Sequence, residues 1–185
     1  MYRYDVARNN EEKTEVLSLI KRVYARENYA AEDALETAFD KHLLAPETRV
    51  FAAYRDDVLF ATVSVVPDSD LGLPMDILYK QELNEIRSQN KKIAEVGQFA
   101  VDHKLVQQLT ASAPLLKLVL EYAIQKSLDY LCIAINPKHD SFYKALGFVP
   151  IGGLKYYPSV NNAPALARVL NIKDLGEKKV LGIFR

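Results

Sequence analysis

Residues 128–135, Leu-Asp-Tyr-Leu-Cys-Ile-Ala-Ile, form an apolar run between two helical patterns, and this run constrains the fold more than any other segment. A strand that leaves one face in water alternates polar and apolar residues, whereas a run without that alternation must be covered on both faces. On its N-terminal side Ser112 caps, and Pro114 opens, a helix extending to about Ser127. Its residues Leu115, Leu116, Leu118, Val119, Leu120, Tyr122 and Ile124 cover most of the circumference, which predicts deep packing. On the other side Asn136-Pro137 turns the chain into a short helix over 139–146, stopped by Gly147 at its C-terminal cap. A doubly buried strand between two helices predicts a sheet with helices on both faces.

The remaining chain supplies the neighbours. Val16, Leu17, Ile20, Val23 and Tyr24 recur at helical spacing from Glu11 to Asn28, and Leu35, Ala38, Phe39 and His42/Leu43 repeat the pattern until Pro46. Residues 48–56 and 58–66 are β-rich and flank Asp56-Asp57, a hairpin signal. Pro67 and Asp68-Ser69-Asp70 close the second strand. Leu73 to Asn90 reads as a helix with Pro74 in its first turn and Met75, Leu78/Tyr79, Leu83 and Ile86 on one stripe. Residues 93–101 read as a strand whose central Gly97 predicts a bulge or a close backbone approach. Strand-like pieces at 148–157 and 163–172 finish the chain. The fold class is therefore α/β (α+β), with one mixed sheet between helices. No linker or repeat divides the 185 residues, so residues 1–185 read as a single domain able to bury about 70% of its unfolded surface.

Composition excludes several functions. The 24 basic and 24 acidic side chains cancel, which argues against a general nucleic-acid binder. Cys132 is the only cysteine, so no disulfide framework and no Cys-rich metal site is available. No apolar run approaches ~18 residues and the N-terminus is too polar for a signal peptide, so no membrane span and a cytoplasmic location are expected. His42, His103 and His139 lack metal-ligand spacing, and no metal is expected. The Cys132 sulfur, between Leu131 and Ile133, reads as core packing rather than as an acyl-carrying thiol.

The strand, the Asn136-Pro137 turn, the helix carrying Phe142-Tyr143 and the following Leu146-Gly147-Phe148 resemble the closing motif of the GNAT N-acetyltransferase superfamily, over roughly residues 93–150. The resemblance implies that the strands 93–101 and 128–135 splay apart to admit an acyl thioester. It also implies that Tyr143 protonates the departing thiolate; the alternative for Tyr143 is a helix end packed on a strand. The superfamily's glycine-rich loop, whose backbone N–H groups cradle the coenzyme A pyrophosphate, is not kept. The equivalent stretch, His103 to Ser112, has no glycine, and Pro114 removes a donor.

A narrower resemblance accounts for that departure. Leu73-Pro74-Met75-Asp76, Leu78-Tyr79, Glu82-Leu83, Arg87, Ala94-Glu95-Val96-Gly97-Gln98-Phe99-Ala100-Val101-Asp102, Asn136-Pro137-Lys138-His139, Tyr157-Pro158-Ser159-Val160-Asn161 and Ala163-Pro164-Ala165 are similar to the N-acyl amino acid synthases. These are relatives of the acyl-homoserine-lactone autoinducer synthases, and the similarity spans about residues 48–172. Autoinducer synthases carry an arginine three residues after the strand glutamate, where this chain has Gln98, which weakens a lactone-forming reading. The resemblance implies a medium or long acyl chain taken from an acyl carrier protein and passed to the amine of an amino acid or similar small molecule. An acyl-phosphopantetheine thioester would be the co-substrate, with no permanently bound cofactor; acyl-coenzyme A is the alternative donor. It implies Glu95 as general base, with a solvent-facing or loop-fixing role as its alternative. Backbone N–H groups near Ala100–Val101 would serve the oxyanion. Phe99, Ala100, Val101, Asn136, His139 and Phe142 would line the acyl–pantetheine path.

Tyr156-Tyr157 read either as tunnel lining or as packing. Carrier proteins are acidic, so Arg87, Lys91, Lys92, Lys104 and Lys117 are candidates for a docking patch, or for a solvated charged face. Two further readings stand beside this one: an acetyl-coenzyme A-dependent N-acetyltransferase of a small amine, and a non-catalytic binding module on the same fold.

Overall fold

Asp56 and Asp57 both take left-handed backbone (φ 50° and 62°), which a type I′ turn requires and short polar side chains tolerate. They join β2 (Arg49–Arg55) to β3 (Val58–Pro67) in the computed structural model, which describes residues 1–29, 41–106, 109–158 and 161–175. The helical pattern at Leu35, Ala38 and Phe39 and the pair Ser159-Val160 lie outside the described residues. β1 (Tyr2–Val6) pairs antiparallel with β2 at the sheet edge. Sequence patterning assigns no strand there, because Arg3 and Asp5 on an edge strand carry the charges that keep it from pairing further.

Helix α1 (Asn10–Arg26) starts where Asn9 and Glu12 form a reciprocal capping box. α2 (Asp76–Arg87) begins three residues later than patterning predicts, because residues 73–75 form a turn that leaves Pro74 outside the helix. β4 (Ile93–Val101), α3 (Ala113–Gln125) and β5 (Tyr130–Ile135) follow as expected. Ser112 does not cap α3 with its side chain: it is itself helical, preceded by a 3₁₀ turn over Leu109–Ser112. α3 is packed on one side rather than all round, since Ile124 is 54% exposed and Lys117 and Glu121 face water. A 3₁₀ turn (Pro137–His139) leads into α4 (Asp140–Ala145).

The stretch 148–157 divides into β6 (Val149–Pro150) and β7 (Lys155–Tyr157). Between them the Tyr79 ring lies so close to Gly152 that a Cβ there would sit 2.8 Å from its Cδ1. Both short strands pair with β8 (Ala163–Asn171). The sheet order is β1-β2-β3-β4-β5-β8-β6, and among the described strands only β4 and β5 run parallel. One face packs Phe51, Val63, Leu131 and Ile133 under α3 residues Leu115, Val119 and Tyr122. The other carries two clusters, Val16, Leu19 and Ile20 of α1 on Val50 and Ala52, and Tyr79 and Leu83 of α2 on Ile93 and Cys132. This is the mixed α+β architecture that the apolar run predicts.

Candidate active site

The sheet opens at its centre. β4 and β5 pair only at Ile93–Tyr130, Ala94–Leu131 and Glu95–Cys132, and beyond Glu95 they separate. β3 steers β4 away: Ser64 pairs with Gly97 and Thr62 with Ala100, so Gln98 and Phe99 both oppose Val63 in a bulge. Gln98 takes φ 51°, a conformation costly for a residue with a side chain, and its buried amide is paired with the Ser64 hydroxyl, which also faces the Gly97 carbonyl at 3.1 Å. The bulge that Gly97 predicts is therefore present, one residue later. Phe99 is half-buried and Ala100 and Val101 are buried, all on the β4 wall of the gap.

Glu95 marks the point of divergence. Its side chain lies on the α1/α2 face, is buried, and accepts a hydrogen bond at Oε2 from the Met75 N–H at 2.7 Å. Burial pushes its carboxyl up to about 8, with the nearby Asp76 charge adding to the rise and the Met75 N–H opposing it. The solvent-facing alternative is thereby excluded. Cys132, opposite Glu95, is fully buried, and burial pushes its thiol up to about 12. It is a core thiol, not a nucleophile.

Tyr143 is held by the end of α4. The Phe148 N–H donates to the Tyr143 carbonyl (3.0 Å) and the Gly147 N–H to that of Lys144 (2.9 Å), with Gly147 at φ 94°. This is a Schellman motif, and its usual hydrophobic contact is the Tyr143 ring meeting the Phe148 ring edge-on at 5.6 Å. The spacing Phe-Tyr-x-x-x-Gly-Phe thus both ends the helix and aims Tyr143. Burial raises its hydroxyl to about 12, so it stays protonated at neutral pH. Tyr143, with Val96, Leu120, Leu131, Phe148 and Leu170 among others, lines an apolar crevice on the α3/α4 face of the gap.

Patterning assigns Tyr24 only to the apolar face of α1. It packs there and also reaches beyond α1, edge-on to Tyr29 at 5.5 Å and clustered with Tyr157 and Ala163. Burial lifts its hydroxyl far above the usual range, and the groups acting on it include both Tyr143 and Glu95. Tyr157 is raised likewise by burial and by Glu95. Two tyrosines, from α1 and β7, therefore lie near Glu95, with Tyr29 packed on the first of them. The sequence signal for this meeting is faint, because Tyr24 and Tyr157 are 133 residues apart and only Tyr156-Tyr157 read as possible lining. Tyr156, by contrast, is 54% exposed.

Asn136 fixes the turn after β5, its Oδ1 accepting from the Lys138 N–H at 3.1 Å. His139 and Phe142 are exposed on that turn and on α4, and partial desolvation together with the neighbouring Lys138 charge lowers the His139 pKa. Of the candidate docking cations, Arg87, Lys91 and Lys117 each have a carboxylate partner, while Lys92 and Lys104 are exposed. Arg87 is bound by Asp68 and Asp76, and Lys91 pairs with Asp129 (3.9 Å) at the end where β4 and β5 are joined. Lys117 pairs with Glu121 (3.8 Å) on α3, and Lys104 is exposed just past the open end of β4. Among the described residues no cluster of His, Cys, Asp and Glu is arranged to hold a metal ion. Among them no helix is long and apolar enough to cross a membrane.

The family model described as N-acyl amino acid synthase FeeM matches residues 15–171. The chain belongs to the N-acyl amino acid synthase family. The solved structure of FeeM, an N-acyl amino acid synthase from uncultured soil microbes, superposes with a TM-score of 0.89 at 38% identity, covering 100% of this chain and 97% of that one. More distant structures share the fold. Escherichia coli ElaA has a TM-score of 0.66 at 16% identity, with 91% of this synthase and 99% of that chain covered. An acyl-CoA N-acyltransferase from Pseudomonas aeruginosa has a TM-score of 0.63 at 15% identity, with 91% and 99% covered. No curated protein matches the sequence. The synthase is thus a GNAT-fold N-acyltransferase.

Proposed function

We propose that this synthase, through one acyltransferase domain spanning residues 1–185, moves a medium or long acyl chain from an acyl carrier protein thioester to the amine of an amino acid or similar small molecule. The observation that supports this reading best is the gap between Glu95 and Tyr143, which opens from the tyrosine-rimmed α1/α2 face into the apolar crevice under α3. The walls of the crevice are almost wholly apolar, which is the lining an alkyl chain requires. The absence of glycine from His103 to Ser112 favours a phosphopantetheine arm over coenzyme A, because the arm carries no pyrophosphate. Lys104, exposed beyond β4, is the basic residue from the candidate patch that best meets an acidic carrier, and the reading puts the enzyme in the cytoplasm with that carrier.

In this scheme the acceptor enters on the α1/α2 face with its ammonium against Glu95. A carboxyl whose pKa lies near that of an amine accepts its proton with little energetic mismatch. The neutral amine attacks the thioester carbonyl, and a C–N bond forms while the C=O electrons move to oxygen. Backbone N–H groups of the Phe99–Val101 wall stabilise that oxyanion. As the oxyanion collapses, the C–S bond breaks and Tyr143 donates its proton to the leaving sulfur; the proton held on Glu95 returns the tyrosine to its neutral form, and the nitrogen, cationic once the C–N bond has formed, loses its second proton to water as the amide forms. Phe142, Asn136 and His139 flank the pantetheine path.

Free-thiol release with a mixed amino-acid pool tests the reading, using long-chain acyl carrier protein, long-chain acyl-coenzyme A and acetyl-coenzyme A in parallel. Release confined to the carrier protein is expected. Release chiefly from acetyl-coenzyme A would replace the reading with an acetyltransferase.

A further inference from the structure

The guanidinium of Arg87 uses all five of its N–H donors. Nε and Nη2 donate to Asp68 Oδ2 and Oδ1, both at 2.7 Å. Nη1 and Nη2 donate to Asp76 Oδ1 (2.7 Å) and Oδ2 (2.8 Å), and Nη1 also reaches Asn84 Oδ1 at 3.0 Å. Two carboxylates gripped by one planar fork form a geometry that a lysine cannot reproduce. Asp68 follows β3 directly, and Asp76 is the first residue of α2, so the fork ties both ends of the 68–76 connection together.

The connection is fixed from within as well. Asp76 Oδ2 accepts from the Leu73 N–H at 2.7 Å, and Gly72, at φ 72°, lies so close that a Cβ on it would sit 2.8 Å from the same oxygen. The product of this tight turn is the buried Met75 N–H, aimed at Glu95 Oε2. We propose that Arg87 is a positioning residue for Glu95, holding the 68–76 turn through Asp76 so that the Met75 N–H fixes the carboxylate at the apex of the gap. The proposal rests on the reading of Glu95 as the base, but it is read out at Glu95 itself.

The groups facing Glu95 make the expected change unambiguous. Asp76, with Arg87 behind it, comes from the α2 side, Tyr24 from α1, Tyr157 from β7 and Cys132 from β5. Tyr24, Tyr157 and Cys132 are raised by burial and stay neutral through the range in which Glu95 titrates. Loss of Arg87 leaves the Asp76 charge uncompensated and frees the Met75 N–H, and both changes favour the protonated carboxyl.

The test is a side-chain carboxyl NMR titration of the full chain, with Glu95→Gln identifying the Glu95 signal, alongside amide exchange at Met75. In Arg87→Met the Glu95 midpoint should rise by roughly half a pH unit or more, and turnover should fall about 10- to 100-fold. Arg87→Lys keeps the charge but loses the fork, so Met75 protection should drop, the midpoint should rise and turnover should fall in this variant too. An Arg87→Lys variant with wild-type titration, protection and turnover would overturn the proposal, as would a fall in melting temperature with an unmoved Glu95 midpoint. If Arg87→Met does not fold, Arg87→Lys carries every readout. Full turnover by Glu95→Gln would instead remove the base assignment, leaving the NMR measurements to decide the positioning.

Discussion

Glu95 is a buried carboxyl, and burial lifts its pKa to about 8 against a usual 4.5. A base must be ionised, so the turnover rate should climb as pH rises through about 8, and Glu95→Gln should remove that limb with a loss of about 10²- to 10⁴-fold. The same shift has a stability consequence. Between the unfolded and folded pKa values the folded chain holds a proton that the unfolded chain has released, so stability falls as pH rises from about 4.5 to 8. Glu95→Gln has nothing to release, and its melting temperature should exceed that of the wild type by a margin that widens from pH 5 to pH 8. Tyr143→Phe keeps the ring contact with Phe148 and removes only the hydroxyl. It should lower the turnover rate by about 10- to 100-fold with little change in melting temperature.

At the level of elements, one motif at the C-terminal end of α4 both stops the helix and holds Tyr143, the proposed acid. Gly147→Ala would have room, its Cβ meeting Leu170 at 3.5 Å, but would hold an L side chain at φ 94°. A cost of about 1–2 kcal/mol is expected in urea unfolding, together with loss of turnover as the motif loosens. These local devices were the legible part of the sequence: Gly147, Asp56-Asp57 and the apolar run at 128–135 each act within a few residues. What patterning missed depends on distant partners. β1 is invisible because Arg3 and Asp5 mask a strand that exists only by pairing with β2. Tyr24 looks like ordinary core until α1 is laid across the sheet. Arg87 reads as a docking cation until Asp68 and Asp76, on either side of a connection, close around it.

For the molecule as a whole, the helices decide what the gap admits. α3 and α4 roof the apolar crevice with Leu116, Val119, Leu120, Tyr143 and Leu146, and Leu116 is only half-buried, so a larger residue there fits by growing into the crevice. Leu116→Phe should shift donor preference toward shorter acyl chains, measured as relative kcat/KM across carrier-protein thioesters, with turnover on the preferred chain retained. The α1/α2 face is undisturbed by that change, so selection among acceptor amines should stay as it is. The three-rung ladder at Ile93–Glu95 and Tyr130–Cys132 has a mechanical consequence. It is the backbone seam between a block of four strands and a block of the other four, and it lies at one end of the opening, as a hinge does. Under α3 the two blocks share one core, Phe51 and Val63 of the first packing with Leu131 and Ile133 of the second, so the seam is braced and the opening keeps its width.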